Sequence, residues 1–195
     1  HRVDRRQRQM CIRDRSNYVT IINAPSAGIA LTSSVSAALC NGDSATFTAT
    51  PTNGGLNPTI NWILNGSVVA SNTFMYGGTF ANNDVLKVEM ISADDCVANP
   101  VVADSTILSV NSLPAVTLGS QGYVCELDGP KLLSGGQPAG GVYSGSGIVN
   151  DSIYPATAGV GSHWVYYTYT DVATGCSRTK QLSLIHISEP TRRRG

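Results

Sequence analysis

The side chains of this 195-residue chain with chemistry to offer are few, and the cysteines come first. Cys40, Cys96, Cys125 and Cys176 are widely spaced, contain no Cys-x-x-Cys pair, and have His163 as the only histidine outside the chain ends, so no zinc-ligand template is met. As an even set they read as two disulfides formed in an oxidising, extracytoplasmic compartment. The alternative is four buried free thiols in a reducing one. A fifth, Cys11, belongs to the N-terminal stretch treated below.

His163 stands beside Trp164 with no second histidine for a metal site or a relay. Asp171 could complete a Ser-His-Asp arrangement on paper, but nothing resembles a nucleophile elbow, so no catalytic residue is assigned and His163 reads as a surface strand residue. Trp164 and Tyr166 alternate with Val165, Tyr167 and Tyr169. The second set reads as a core face, which leaves Trp164 and Tyr166 outward. Two outward rings could stack on a sugar, or pack on a loop or an adjacent module. Asp43, Asp84, Asp94, Asp95, Asp104, Asp128 and Asp151 lie in or beside turns. They could offer oxygen ligands to Ca²⁺, but no Asp-x-Asp-x-Asp ladder is present, and aspartate is an ordinary turn former. Neither a metal site nor a cofactor is assigned. The runs Gly135-Gly136 and Gly145-Ser146-Gly147 lack the following lysine or helix of a phosphate cradle, and read instead as hairpin glycines.

The two ends do not read as part of this architecture. Met10 to Asp14 back-translates as ATG TGT ATA AGA GAC, and Leu182 to Ile187 as CTG TCT CTT ATA CAC ATC; allowing for frame, each string is the reverse complement of the other. Residues 5–15 and 182–192 thus resemble translated adapters of a transposase-based sequencing library. Residues 1–15 and 182–195 are expected to lie outside the fold, with 1–15 disordered. Residues 1–15 and 188–195 should pack on nothing, whereas the alternating 182–187 could fill in for a missing strand. The rest is then an internal fragment. Setting the ends aside removes nine of the 13 Lys and Arg and three of the 13 Asp and Glu, leaving four against ten, a net of about −6. An acidic surface without a basic stripe argues against nucleic acid or anionic membrane as partner. No apolar run of about 20 residues is present to cross a bilayer as a helix.

The elements that must position these residues are strands. Ala45, Phe47 and Ala49 alternate with threonines, and Ile60, Trp62 and Leu64 alternate with Asn61 and Ile63. Leu86, Val88 and Met90 alternate with Lys87 and Glu89, again one face apolar and one polar. Ile29 and Leu31 open this series, Asn65-Gly66 supplies a tight hairpin into 67–70, 73–80 precedes the turn Asn82-Asn83-Asp84, and 101–110 closes the unit. About seven strands with one central Trp predict an immunoglobulin-like sandwich over 24–111. Residues 112–115, containing Leu113-Pro114, form a short stiff linker. A second sandwich over 116–181 is predicted from strands near 116–118, 131–133, 141–144, 152–154, 163–170 and 177–181, its last strand cut short. Residues 16–23 read as the tail of a preceding module, so the parent chain is expected to be an array. The fold class is all-β.

The residues resemble a family. In the first module these are Cys40-Asn-Gly42, Thr46-Phe47-Thr48-Ala49, Thr52-Asn53-Gly54-Gly55, Pro58, Trp62, Asn65-Gly66 and 92–96. In the second they are 133–136, Pro138, Gly140-Gly141, Tyr143-Ser-Gly145, Gly147, Pro155, Ala158-Gly159, Gly161, 167–171 and Gly175-Cys176. Together these strings are similar to the PKD-like and immunoglobulin-like repeat modules of large secreted and surface-anchored proteins of the Bacteroidota, often substrates of type IX secretion. Ile60 departs from the pattern, which has an aromatic there. The resemblance implies two tandem sandwich modules at the cell surface or outside it. It implies a non-catalytic structural or adhesive role, or alternatively a carbohydrate-binding region of a secreted hydrolase. Expected partners are neighbouring modules of the same chain and surface glycans or proteins. It further implies Cys40–Cys96 and Cys125–Cys176 bridges, each contributing about 4 kcal/mol in the loop-entropy description. Asp43-Ser44-Ala45, Asp104-Ser105-Thr106 and Asp151-Ser152-Ile153 resemble the short O-glycosylation signal of the same bacteria.

Overall fold

The computed structural model describes residues 10–13, 20–35 and 38–188, and divides the chain into two compact units between Asn111 and Ser112. Residues 1–9, 14–19 and 189–195, which carry most of the adapter-like ends and part of the expected preceding-module tail, lie outside that description. Among the described residues the chain is built almost wholly of strands, with one four-residue helix.

In the first unit the strands are β1 (Met10–Arg13), β2 (Thr20–Asn23), β3 (Gly28–Ser33), β4 (Leu39–Cys40), β5 (Ser44–Thr52) and β6 (Thr59–Leu64). They continue with β7 (Ser67–Ser71), β8 (Met75–Thr79), β9 (Val85–Ile91), β10 (Val101–Ile107) and β11 (Val110–Asn111). Two sheets, ordered β10-β9-β6-β7 and β3-β5-β8, carry the apolar core. The alternation in the sequence decides which residues enter it: Ala45, Phe47 and Ala49 from one sheet, and Ile60, Trp62, Leu86, Val88 and Met90 from the other, are all buried. Trp62 is fully buried, stacks on Tyr76 at 5.7 Å between ring centroids, and donates its indole N–H to the Thr73 carbonyl at 2.9 Å. Burial of such a ring requires that hydrogen bond, since an unmet indole N–H would cancel much of the gain. Ile60, the departure from the family pattern, is 1% exposed and occupies the core without an aromatic ring.

Hairpin chemistry sets the register. Asn65 and Gly66 both take positive φ (50° and 84°), the mirror-image turn that matches strand twist, and Leu64 pairs with Ser67 across it. The Asn65 amide then holds Asp84, whose carboxyl titrates below the ordinary aspartate range because of that hydrogen bond and a second from the Ala81 N–H. The sandwich edge is closed by Asp104, which points from β10 to accept the Leu31 N–H of β3 at 2.9 Å.

The expectation that 1–15 is disordered is corrected at β1, which pairs antiparallel with β2 from Met10↔Asn23 to Arg13↔Thr20. The run Thr20-Ile21-Ile22 is a strong strand former with an open edge, and an open edge accepts an extended partner whatever its origin.

The second unit carries β12 (Thr117–Leu118), β13 (Val124–Cys125), β14 (Lys131–Leu132), β15 (Gly136–Gln137), β16 (Val142–Gly145) and β17 (Ile148–Val149). It continues with β18 (Ser152–Ile153), α1 (Pro155–Ala158), β19 (Gly161–Thr170) and β20 (Ser177–Ser188). A four-stranded sheet β13-β20-β19-β16 accompanies the smaller sheets β14-β18-β17 and β12-β15. Val124, Leu133, Ile153 and Val165 make its core, with Leu118, Tyr143, Ile148 and Ala158 packed against them. Close aromatic packing supplements this small core. The Tyr167 ring, 4.7 Å from that of Tyr143, lies where Cβ atoms on Gly136 and Gly141 would meet it at 2.6 and 2.5 Å. The Tyr167 hydroxyl accepts the Gly141 N–H at 2.8 Å and donates to the Pro138 carbonyl.

The last strand is not cut at 181. β20 runs unbroken to Ser188, pairing Leu182 with Val165, Ser183 with Trp164 and Ile187 with both Gly161 and Val124. Residues 182–187 therefore occupy the final strand position, and Ser188, expected to pack on nothing, pairs with Cys125. Alternation of apolar and polar residues is sufficient for strand pairing, and this segment has it.

Candidate functional site

β19 runs through the middle of the second unit's four-stranded sheet, between β20 and β16, and it presents the aromatic pair. Val165 and Tyr167 point inward and are buried, whereas Trp164 is 51% exposed and Tyr166 half-buried. Residues directly opposite one another in antiparallel strands share a face. The register therefore places Ser183, Gln181 and Thr179 of β20, and Ser144 and Val142 of β16, on the outward face with Trp164, Tyr166 and Thr168. The Thr168 and Thr179 hydroxyls are 2.8 Å apart and hydrogen-bonded across it. Val142 is 63% exposed at its edge. No acidic or basic residue stands at these eight positions. Such a face offers two aromatic rings, hydroxyl and amide groups, and no charge. The sequence alternation located the two rings, but only the strand register could supply Val142, Ser144, Gln181 and Ser183, which are not neighbours in sequence.

The cysteines do not behave as the resemblance implied. Cys40, Cys96 and Cys176 are disulfide-bonded, whereas Cys125 is a free, exposed thiol. The Cys125–Cys176 bridge is not formed. Cys125 pairs with Ser188 at one end of β20 and Cys176 precedes Ser177 at the other, so about 40 Å of extended strand separates them. A disulfide spans Cα atoms only about 4.4–6.8 Å apart. The same reasoning corrects Cys40–Cys96. Cys40 leads into the Ser44 end of β5, while the loop carrying Cys96 is tied to the other end, where Ser92 Oγ donates to the Asn53 carbonyl and the Ala93 N–H donates to the Gly54 carbonyl. The nine residues of β5 between them extend about 30 Å. Both cysteines are bonded, but not to each other.

The remaining candidates are held by structural hydrogen bonds. His163 Nε2 lies 2.8 Å from the Gly159 carbonyl, near the start of β19, and Asp171 lies just beyond its end, where its carboxylate accepts the Ala173 N–H at 2.9 Å. Eight residues of strand, about 26 Å, keep the two apart, so the structure does not bring a His-Asp pair together. The turn aspartates fix turns. Asp43, Asp84 and Asp128 each accept the N–H of the residue three before, from Cys40, Ala81 and Cys125. Asp151 accepts the Tyr143 N–H at 3.1 Å, and Asp94 accepts the Cys96 N–H at 2.9 Å. Among the described residues no three His, Cys, Asp or Glu side chains are grouped as a metal site, and no helix is long and apolar enough to cross a membrane. Gly135 and Gly147 take positive φ (79° and 69°) in loops, the use expected of them, while Gly145 does so at the end of β16.

Compared with protein-family models and with curated proteins, the chain matches none.

Proposed function

We propose that this chain is a non-catalytic structural or adhesive repeat segment of a large secreted or surface-anchored bacterial protein, akin to PKD-like and immunoglobulin-like modules. One observation carries the reading: the two units share an opening turn. In each, a two-residue strand ends in a cysteine whose N–H donates to the carboxylate of the aspartate three residues on, Cys40 to Asp43 and Cys125 to Asp128, and the aspartate N–H donates back to the cysteine carbonyl. The same turn at the same place in two successive units is what serial repetition of one module would produce. Disulfide-bonded cysteines favour an oxidising, extracellular setting. Neighbouring modules are the expected partners.

A second reading, a carbohydrate-binding region of a secreted hydrolase, is favoured by the uncharged outward face around Trp164 and Tyr166, since neutral sugars are bound by stacking on rings between hydroxyl and amide groups. Glycan-array binding separates the two. The spacer reading expects no glycan to be retained by the purified chain. Retention that disappears in the Trp164→Ala/Tyr166→Ala variant, with circular dichroism unchanged, would establish the second reading in its place.

A further inference from the structure

Three Asn-Gly pairs occur in the first unit, Asn41-Gly42, Asn53-Gly54 and Asn65-Gly66, and the fold treats them unequally. A glycine after asparagine leaves the asparagine side-chain carbonyl open to attack by the next backbone nitrogen, because no Cβ blocks the approach. The attack then depends on how firmly the asparagine is held. Both ends of the Asn65 amide are held: its nitrogen donates to Asp84 at 2.8 Å and its oxygen accepts the Val85 N–H at 2.9 Å. Gly66 has open space around it, so at that pair the hydrogen bonds alone stand in the way. The Asn53 amide donates to the Ser26 carbonyl at 2.7 Å, and Gly54 is buried, with Met90 and Pro58 where a Cβ would stand. Asn41 is exposed, and among the described residues none bonds its side-chain amide; the residue is tied through its main chain, whose N–H donates to the Asn111 carbonyl at 2.8 Å. Gly42 takes a φ of 96°, has nothing within 4 Å of where a Cβ would stand, and among the described residues donates its N–H to no acceptor. Nucleophile, electrophile and room for a ring are available together at Asn41.

We propose that Asn41 is a self-modification site, at which the folded chain turns asparagine into aspartate and isoaspartate without an enzyme. The Gly42 nitrogen gives its proton to solvent hydroxide and bonds to the Asn41 side-chain carbonyl carbon. The amide carbon–nitrogen bond breaks, and that nitrogen leaves as ammonia, taking a proton from water and restoring the hydroxide. Water then opens the cyclic imide at either carbonyl carbon. Opening at the side-chain carbon breaks the new bond and leaves aspartate; opening at the main-chain carbon breaks the original peptide bond and leaves isoaspartate, the chain now running through the side chain. A water is consumed, an ammonia is released, and nothing is oxidised or reduced. The isoaspartate product inserts a methylene into the turn that opens the first unit, where the Asp43 N–H reaches the Cys40 carbonyl at 2.9 Å and the Asp43 carboxylate accepts the Cys40 N–H at 3.0 Å. Either product adds a carboxylate to a turn that already holds one.

The test is incubation of the full chain, folded and unreduced, in mildly alkaline buffer beside the same chain unfolded in urea. Samples taken over time are reduced, digested with chymotrypsin and mapped by mass spectrometry; Leu39, Phe47, Leu56, Leu64 and Phe74 put the three pairs on separate peptides. In urea the three asparagines are expected to convert at similar rates, since each is followed by glycine. In the folded chain Asn41 keeps converting, while Asn53 and Asn65 fall behind it by about tenfold, because their amide hydrogen bonds must open first. The Asn41 peptide should yield two products of equal mass that separate chromatographically, aspartate and isoaspartate. Conversion of Asn41 no faster than that of Asn65 in the folded chain overturns the proposal. So does the same rate order in urea, which would place the selectivity in the sequence and not in the fold. Aspartate without isoaspartate would mean direct hydrolysis and overturn the imide route.

Discussion

At the scale of single residues, the second unit depends on what is missing from two glycines. Tyr167 is 2% exposed and its hydroxyl is held by the Gly141 N–H and the Pro138 carbonyl, so the ring cannot yield to a new neighbour. A Cβ on Gly141 would meet the ring at 2.5 Å and the Thr168 carbonyl oxygen at 2.6 Å. Gly141→Ala should therefore lower stability by about 1–3 kcal/mol, the usual effect of overpacking, read as a lower urea midpoint. Gly129→Ala, where nothing lies within 4 Å, is the control and should move the midpoint by less than about 0.5 kcal/mol equivalent. Equal effects at both sites would refute the packing argument. The aspartates illustrate the same scale differently: a residue type that could ligate a cation spends its carboxylate oxygens on backbone N–H groups.

At the scale of elements, β19 and β20 decide what the second unit can be. Their ladder extends from Thr170↔Ser177 to Gly161↔Ile187, and its second half uses residues 182–187, which the sequence marked as foreign. Truncation after Gln181 removes the partners of Gly161, His163, Trp164 and Val165 and also those of Val124 and Cys125. Each lost cross-strand pair costs about 0.2–1 kcal/mol, so for these six a cost of about 1–6 kcal/mol is expected. Hydrogen exchange should show loss of protection at residues 161–165, with the first unit's β5, β6 and β9 unaffected. Unchanged protection at 161–165 would mean that 182–188 lies on the sheet without supporting it.

At the scale of the whole molecule, the cross-links are the informative feature. Iodoacetamide applied under denaturing, non-reducing conditions should modify Cys125 and leave Cys40, Cys96 and Cys176 untouched, all three becoming reactive after reduction. Peptide mapping by mass spectrometry reads this directly, and modification of Cys176 without reductant would contradict the structure. Neither bridge expected within a module is formed, so the disulfides cannot be counted as closing each unit's own loop of 50 to 60 residues, as the loop-entropy estimate of about 4 kcal/mol assumed.

Periodicity alone determined the all-β class and most core residues. Phe47, Trp62, Leu86, Val88 and Met90, and later Val165 and Tyr167, are buried where a two-residue period placed them, because a strand gives each side chain only two directions. Asn65-Gly66 was equally legible, since few dipeptides take positive φ twice without strain. Cysteine pairing was not legible. Which sulfurs meet depends on which strand ends coincide in space, and sequence spacing carries no record of that. The outward face around Trp164 was half legible: alternation found its rings, and the pairing of β16, β19 and β20 supplied the rest. That residues 182–187 could fill the last strand was legible in their alternation; that the pairing runs on to Ser188 was decided by tertiary structure, because a sheet edge selects for extended backbone and not for the origin of the residues that provide it.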